Sequence, residues 1–149
     1  MERTVGLDPS GEAARNLSVP TLVAEQIATM PDAVAIEDGD RTLSYAELDR
    51  ASAAIAATLL AAGVAPGEPI AVDLPRSWQA VCALVGVLRA GAAYVPLDPA
   101  HPPQRRRALV ELAGARTTLE PRDVERAIAA GETGPEPPEG GDRLAYVLF

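Results

Sequence analysis

The sequence predicts an α/β fold in which a partial, mainly parallel sheet is flanked by helices. Short apolar runs alternate along the chain with longer amphipathic stretches at helical spacing, which is the pattern of βαβ units. Glycine or proline ends most of these segments. The chain has 149 residues, 48% of them hydrophobic and 23% charged, which is the composition of one globular domain.

The first predicted helix follows a flexible lead-in. Residues 1–17 contain glycine and proline before any periodic pattern begins, so the folded part is assigned to residues 18–149. Apolar residues then recur at helical spacing and predict a helix over residues 21–29. Pro31 ends this helix, because the residue before a proline avoids the helical region.

A hairpin and a capped helix are predicted next. The dipeptide Asp38-Gly39 tolerates the positive φ of a tight turn and predicts a hairpin between two strands, residues 33–36 and 42–45. Ser44 is placed to cap the following helix, and Glu47 is placed to reach back to it. This helix is predicted over residues 45–62, and Gly63 follows as its left-handed cap.

The middle of the chain is predicted to form a βαβ unit. A strand over residues 69–74 precedes Ser77, which is placed to cap a buried helix over residues 78–89. Gly91 ends that helix, and residues 93–95 form the second strand.

The alternation continues after Asp98 and predicts a helix, a weak strand and a short helix, residues 104–113, 116–119 and 123–130. Residues 131–142 are predicted to form an exposed loop rich in Gly, Pro and Glu. The apolar run Leu144–Phe149 has strand propensity, so we expect the chain to end inside a strand and the sheet to be incomplete.

Charge and composition exclude several classes of function. The net charge of −8 disfavours binding to nucleic acid or to an anionic membrane surface. All 13 basic residues are arginine, so the chain cannot supply a catalytic lysine. Cys82 is the only cysteine, which suits a reducing compartment and predicts a cytoplasmic protein.

No catalytic, cofactor-binding or metal-ligating residue is predicted in this chain. Phosphate loops at Gly86 and Gly91 or within residues 131–141 fail, because the glycine spacing is wrong or glutamates intervene. Ser44 and Ser77 are interpreted as helix caps, and Asp98 as a turn-forming residue. His101 is interpreted as a histidine on the surface of a loop, and Trp78 as a core residue. The three consecutive arginines are interpreted as a solvated helix face, namely Arg105, Arg106 and Arg107.

Two stretches resemble core motifs of the adenylation domains of nonribosomal peptide synthetases, members of the AMP-forming acyl-adenylating superfamily. The first is Leu43-Ser-Tyr-Ala-Glu-Leu48, and the second, more specific, is Leu88-Arg-Ala-Gly-Ala-Ala-Tyr-Val-Pro-Leu-Asp98. Arg89 stands in the second motif where Lys is commoner. The run Leu144–Phe149 resembles the strand that leads into the third motif, the loop that wraps ATP phosphates. The resemblance covers about residue 18 to the end.

The resemblance implies that this chain is the N-terminal part of the large domain of an adenylate-forming enzyme, truncated before the phosphate loop. The complete domain would use ATP and Mg to form an aminoacyl-adenylate and would load the amino acid on a carrier-protein phosphopantetheine. The implied partners are the remainder of the adenylation domain, a peptidyl carrier protein, a condensation domain and an MbtH-like protein. Because the family's catalytic residues come later, the chain alone is predicted to be inactive.

Two other functions stay open from the sequence. One is a non-catalytic remnant or docking module that binds synthetase partners, which predicts a folded monomer. The other is a small independent nucleotide-binding domain, which would need a phosphate loop that the sequence does not provide.

Overall fold

The computed structural model describes residues 18–136, which form five helices and five strands. The helices are α1 (Val19–Thr29), α2 (Tyr45–Ala61), α3 (Trp78–Arg89), α4 (Pro103–Ala113) and α5 (Pro121–Ala130). The strands are β1 (Val34–Asp38), β2 (Arg41–Ser44), β3 (Pro69–Val72), β4 (Ala93–Pro96) and β5 (Thr117–Leu119). The predicted order of elements is confirmed over this range, and so is the α/β fold class.

The hairpin turn lies one residue later than the sequence pattern predicted. Asp38 pairs with Arg41 in the antiparallel ladder, so Gly39 and Asp40 are the two turn residues. Gly39 has a φ of +59°, a left-handed conformation that glycine adopts without steric cost because it has no side chain. Asp38 instead ends β1, and its carboxylate accepts a hydrogen bond from the Trp78 backbone N–H at 3.0 Å. The hairpin is thereby joined to the start of α3.

Helix α2 begins with the predicted reciprocal cap. The Ser44 hydroxyl accepts from the Glu47 backbone N–H at 3.2 Å, and the Glu47 carboxylate accepts from the Ser44 N–H at 2.7 Å. The bond from the Ser44 backbone lowers the pKa of Glu47. Leu43 and Leu48 on either side of the cap are buried. The cap therefore fixes where the hairpin passes into the helix.

The second sheet is parallel and has the strand order β4-β3-β5. Strand β3 pairs in parallel with β4 on one side and with β5 on the other. Helix α3 connects β3 to β4, and α4 carries the chain from β4 across to β5. The chain therefore reverses its direction of travel across the sheet at β3, which creates a topological switch point between neighbouring strands.

The two faces of this sheet bury different clusters. Ile70 and Val72 of β3 belong to the larger core, which also takes in buried residues of α2, α3 and α5. Ala71 faces the opposite way and packs with Val95 and Leu97 against the apolar side of α4. This alternation is the two-residue period of a strand covered on both faces. Helix α4 itself has no buried residue, so it covers the sheet loosely.

Helices α2 and α3 approach each other closely at a glycine. A Cβ built on Gly86 would lie 2.7 Å from Ile55 Cγ2 and 3.1 Å from the Ser52 carbonyl oxygen. Ile55 and Ser52 are both buried, with 1% and 0% of their surfaces exposed. The absence of a side chain at position 86 therefore sets the distance between the two helices.

The described part of the chain ends in an irregular segment. Gly131 ends α5 with a φ of +62°, and residues 132–136 form no helix or strand, as the sequence predicted for this loop. The predicted lead-in, the rest of the loop and the predicted strand Leu144–Phe149 lie outside the described residues. Among residues 18–136, no helix combines the length and the apolar character needed to cross a membrane.

Candidate functional site

The carboxyl ends of the parallel strands meet at a crevice, which is where open α/β sheets place ligands. Asp73 directly follows β3 and Glu120 directly follows β5. The two strand ends are tied together, because the Asp73 backbone N–H donates to the Leu119 carbonyl at 2.9 Å. Helix α4 lies beside them and contributes Arg106. The crevice has a volume of about 420 Å³.

An ion pair crosses this crevice. Arg106 donates from Nη1 to Asp73 Oδ2 at 2.5 Å, and the two side chains are 26% and 19% exposed. Arg106 Nε is buried and has no hydrogen-bond partner within the described residues. Glu120 is engaged separately by Arg122 at 3.0 Å. Asp73 and Glu120 therefore each have an arginine partner in the same chain, and the Asp73 pair is the more buried of the two.

The sequence prediction of a solvated arginine face on α4 is wrong for one of its three residues. Arg105 and Arg107 are exposed, whereas Arg106 is half-buried and holds Asp73. Successive helical residues point about 100° apart, so only one of three neighbours can face the sheet. Sequence reasoning also missed Asp73 and Glu120. Their position directly after apolar strands could have marked them as site residues, because ligands bind at the carboxyl ends of parallel strands.

Asp98 is a turn residue, as the sequence predicted. Its Oδ1 accepts from the Ala100 backbone N–H at 2.9 Å, and its carbonyl accepts from His101 N–H at 3.0 Å. These two bonds shape the loop between β4 and α4. His101 is half-buried in that loop, and its Nδ1 has no hydrogen-bond partner among the described residues. The loop-surface interpretation thus places His101 in the right segment but underestimates its burial.

The two serine candidates and the tryptophan have structural partners. Ser77 Oγ accepts from the Ala80 backbone N–H at 3.3 Å and caps α3, as Ser44 caps α2. Trp78 is half-buried and packs against the larger core, and the Arg41 guanidinium lies 4.1 Å from the centre of its ring. Neither serine is paired with a general base in the described structure.

The remaining sequence candidates also have structural roles. Gly86 lies inside α3, and Gly91 follows the helix with a φ of +77°, so neither belongs to a phosphate loop. Cys82 is buried in the core, and burial raises the pKa of its thiol to about 11. A thiol in that state is a poor nucleophile.

The donor set of the described residues does not fit ATP with its magnesium ion. Within residues 18–136, no group of three His, Cys, Asp or Glu side chains could hold a metal ion. The Gly-containing segment after α5 carries Glu132 and Glu136, whose charge repels phosphate. The full sequence has no lysine.

Comparison with known proteins assigns the family. Residues 23–144 match the model of the AMP-binding enzyme family, and the chain belongs to that family. It is 40% identical over 147 residues to an isonitrile lipopeptide synthase of Mycobacterium tuberculosis, covering 89% of this chain and 6% of that protein. It is 43% identical over 144 residues to the antimetabolite synthetase AmbB of Pseudomonas aeruginosa, covering 86% of this chain and 12% of that protein.

Solved structures agree with this assignment. The nonribosomal peptide synthetase FmoA3 superposes with a TM-score of 0.81 at 30% identity, over 90% of this chain and 16% of that chain. The N-terminal subdomain of Klebsiella oxytoca NpsA superposes with a TM-score of 0.81 at 23% identity, over 93% of this chain and 39% of that chain, and shows the fold. The predicted resemblance to synthetase adenylation domains is confirmed. The chain thus spans only 6% and 12% of the lengths of these two synthetases.

Proposed function

We propose that this chain is the N-terminal segment of an adenylation domain whose complete form activates an amino acid. The complete enzyme joins the amino acid to AMP, releases pyrophosphate, and passes the acyl group to the phosphopantetheine thiol of a carrier protein. The observation that carries the proposal is the continuous match of residues 23–144 to the AMP-binding enzyme family. ATP and magnesium belong to the complete domain in this proposal.

The role of this segment in that enzyme is to build the scaffold. Its two family-like motifs lie in packed structure: Leu43 and Leu48 are buried on either side of the α2 cap. In the second motif, Ala93, Val95 and Leu97 are buried with 0%, 0% and 6% of their surfaces exposed. Side chains buried in this way support neighbouring elements and do not reach a substrate.

The proposed partners follow from the same assignment. They are the remainder of the adenylation domain, a peptidyl carrier protein and a condensation domain of the same synthetase, together with an MbtH-like protein. A cytoplasmic location is also part of the proposal, and the single buried Cys82 thiol supports a reducing compartment.

Amino-acid-dependent exchange of pyrophosphate into ATP tests the proposal. The 149-residue chain alone should give no exchange above a blank, because its sequence has no lysine and no Gly-rich phosphate loop to stabilise the negative charge that develops at the α-phosphate when the adenylyl group is transferred. A chimera carrying residues 18–149 in place of the matching segment of a related adenylation domain should recover exchange. The chimera should keep the amino-acid preference of the recipient, since the segment supplies only scaffold.

A control chimera with Ser44→Ala separates scaffold from chemistry. It should unfold more easily by about 1 kcal/mol and keep the same amino-acid preference. Exchange by the chain alone would show that it contains a catalytic site. A correctly folded chimera without exchange, or with a changed amino-acid preference, would refute the scaffold role.

A further inference from the structure

Arg89 makes two contacts that lie on different parts of the fold. It is the last residue of α3, and its side chain is 10% exposed. Nη1 donates to Asp49 Oδ1 of α2 at 2.5 Å, and Nε donates to the Pro135 carbonyl oxygen at 2.6 Å. One guanidinium thus bridges α2, α3 and the irregular segment that follows α5.

The same segment touches α2 at a second point. The backbone of Gly134 lies so close to α2 that an added Cβ would be 2.7 Å from Ala53 Cα. Real Cβ atoms essentially never approach that closely, so only glycine fits at this position without displacing the segment. The contact of Gly134 with α2 and the hydrogen bond of Pro135 with Arg89 of α3 are adjacent in sequence and hold the segment against both helices.

From these contacts we propose that Arg89 is a positioning residue that holds residues 132–136 on α2 and sets the path by which the chain leaves α5. This role does not depend on the proposed reaction. The Asp49 carboxylate compensates the charge of the largely buried guanidinium, and it does so through Nη1, so Nε remains available to donate to the segment. The planar guanidinium supplies both donors at once in a fixed geometry, whereas an ammonium offers a single nitrogen.

Replacement by lysine separates the two contacts. Arg89→Lys keeps a positive charge for the ion pair with Asp49 and removes the Nε donor to Pro135. A positioning role predicts that the segment opens more often while the fold as a whole keeps its stability. Gly134→Ala tests the same docking from the other side, because its added Cβ pushes the segment off α2 and leaves Arg89 intact.

Native-state digestion of the 149-residue chain with a glutamate-specific protease measures the opening. Cleavage of the Glu132–Thr133 bond reports on the segment, and cleavage after Glu25 in α1 reports on opening elsewhere in the same sample. Arg89→Lys should speed cleavage after Glu132 about fivefold, the effect of losing one hydrogen bond on a local opening equilibrium. Cleavage after Glu25 and the urea midpoint should stay unchanged.

Arg122→Lys is the matched control, because Arg122 is 76% exposed and makes no contact with the segment in the described structure. It should leave both cleavage rates at the wild-type values. Gly134→Ala should speed cleavage after Glu132 as Arg89→Lys does, and it decides the question alone if Arg89→Lys fails to fold. A wild-type rate of cleavage after Glu132 in folded Arg89→Lys would overturn the proposal, whatever the rate in Gly134→Ala. So would a rise at both bonds together with a lower urea midpoint, since Arg89 would then act only on global stability.

Discussion

Replacing Gly86 by alanine tests the claim that this position sets the spacing of α2 and α3. Two opposite effects act on the variant. Alanine is a better helix former than glycine, which stabilises the folded state by about 1 kcal/mol. The added methyl group overpacks the helix contact, which costs about 1–3 kcal/mol.

The geometry decides between these effects. The new Cβ would lie 2.7 Å from Ile55 Cγ2 and 2.8 Å from Ile55 Cβ. Cβ is fixed to the backbone, so a rotamer change at Ile55 cannot relieve the contact, and the helices must move apart. The overpacking cost should therefore fall at the upper end of its range, and Gly86→Ala should destabilise the chain by about 2 kcal/mol after the helix gain is subtracted.

Urea unfolding followed by circular dichroism measures this difference, with Trp78 fluorescence as a second probe. The double variant Gly86→Ala with Ile55→Ala is the control, because it removes the closest atom, Ile55 Cγ2. Because Ile55 Cβ stays in place, the relief is partial, and the double variant should lose about 1 kcal/mol less unfolding free energy than the sum of the losses in the two single variants. A Gly86→Ala chain as stable as the wild type, or more stable, would refute the close-packing argument.

Four further outcomes are expected. Ser44→Ala should lower the free energy of unfolding by about 1 kcal/mol, measured in urea, and a loss below a few tenths would contradict the capping role. The pKa of Glu47 in the folded state is lowered from 4.5. Its contribution to the free energy of unfolding is therefore fully present above pH 4.5 and is lost as the pH falls through the folded-state pKa. The Glu47→Gln variant should lack this loss when the free energy of unfolding is measured as a function of pH in acid. The Cys82 thiol should react with a thiol reagent at pH 8 only as fast as the chain opens, because burial raises its pKa to about 11; rapid labelling of the folded chain would contradict this. Deleting Leu144–Phe149 should raise the monomer fraction in size-exclusion chromatography with light scattering, since this uncharged run of high β-propensity favours association; an unchanged fraction would contradict it.

Local signals predicted the order of elements, because each depends on a few neighbouring residues. The capping box at Ser44 and Glu47 needs only a spacing of three residues, and the structure contains both of its hydrogen bonds. Helix α3 begins and ends where Ser77 and Gly91 predicted. The turn of the hairpin was displaced by one residue, since Asp38 is held in the strand by a distant partner, the backbone N–H of Trp78.

The sequence by itself determined the fold class, the caps and the resemblance to a family of adenylating enzymes. Only the tertiary structure decided which charged side chains meet. Arg106 reaches Asp73 across 33 positions of the chain, and Arg89 reaches Pro135 across 46. Such contacts depend on the strand order β4-β3-β5 and on the packing of α3 against α2, which local spacing does not encode. Periodicity tells which face of a helix is apolar, but the partner of a charged residue is set by where the chain returns in space.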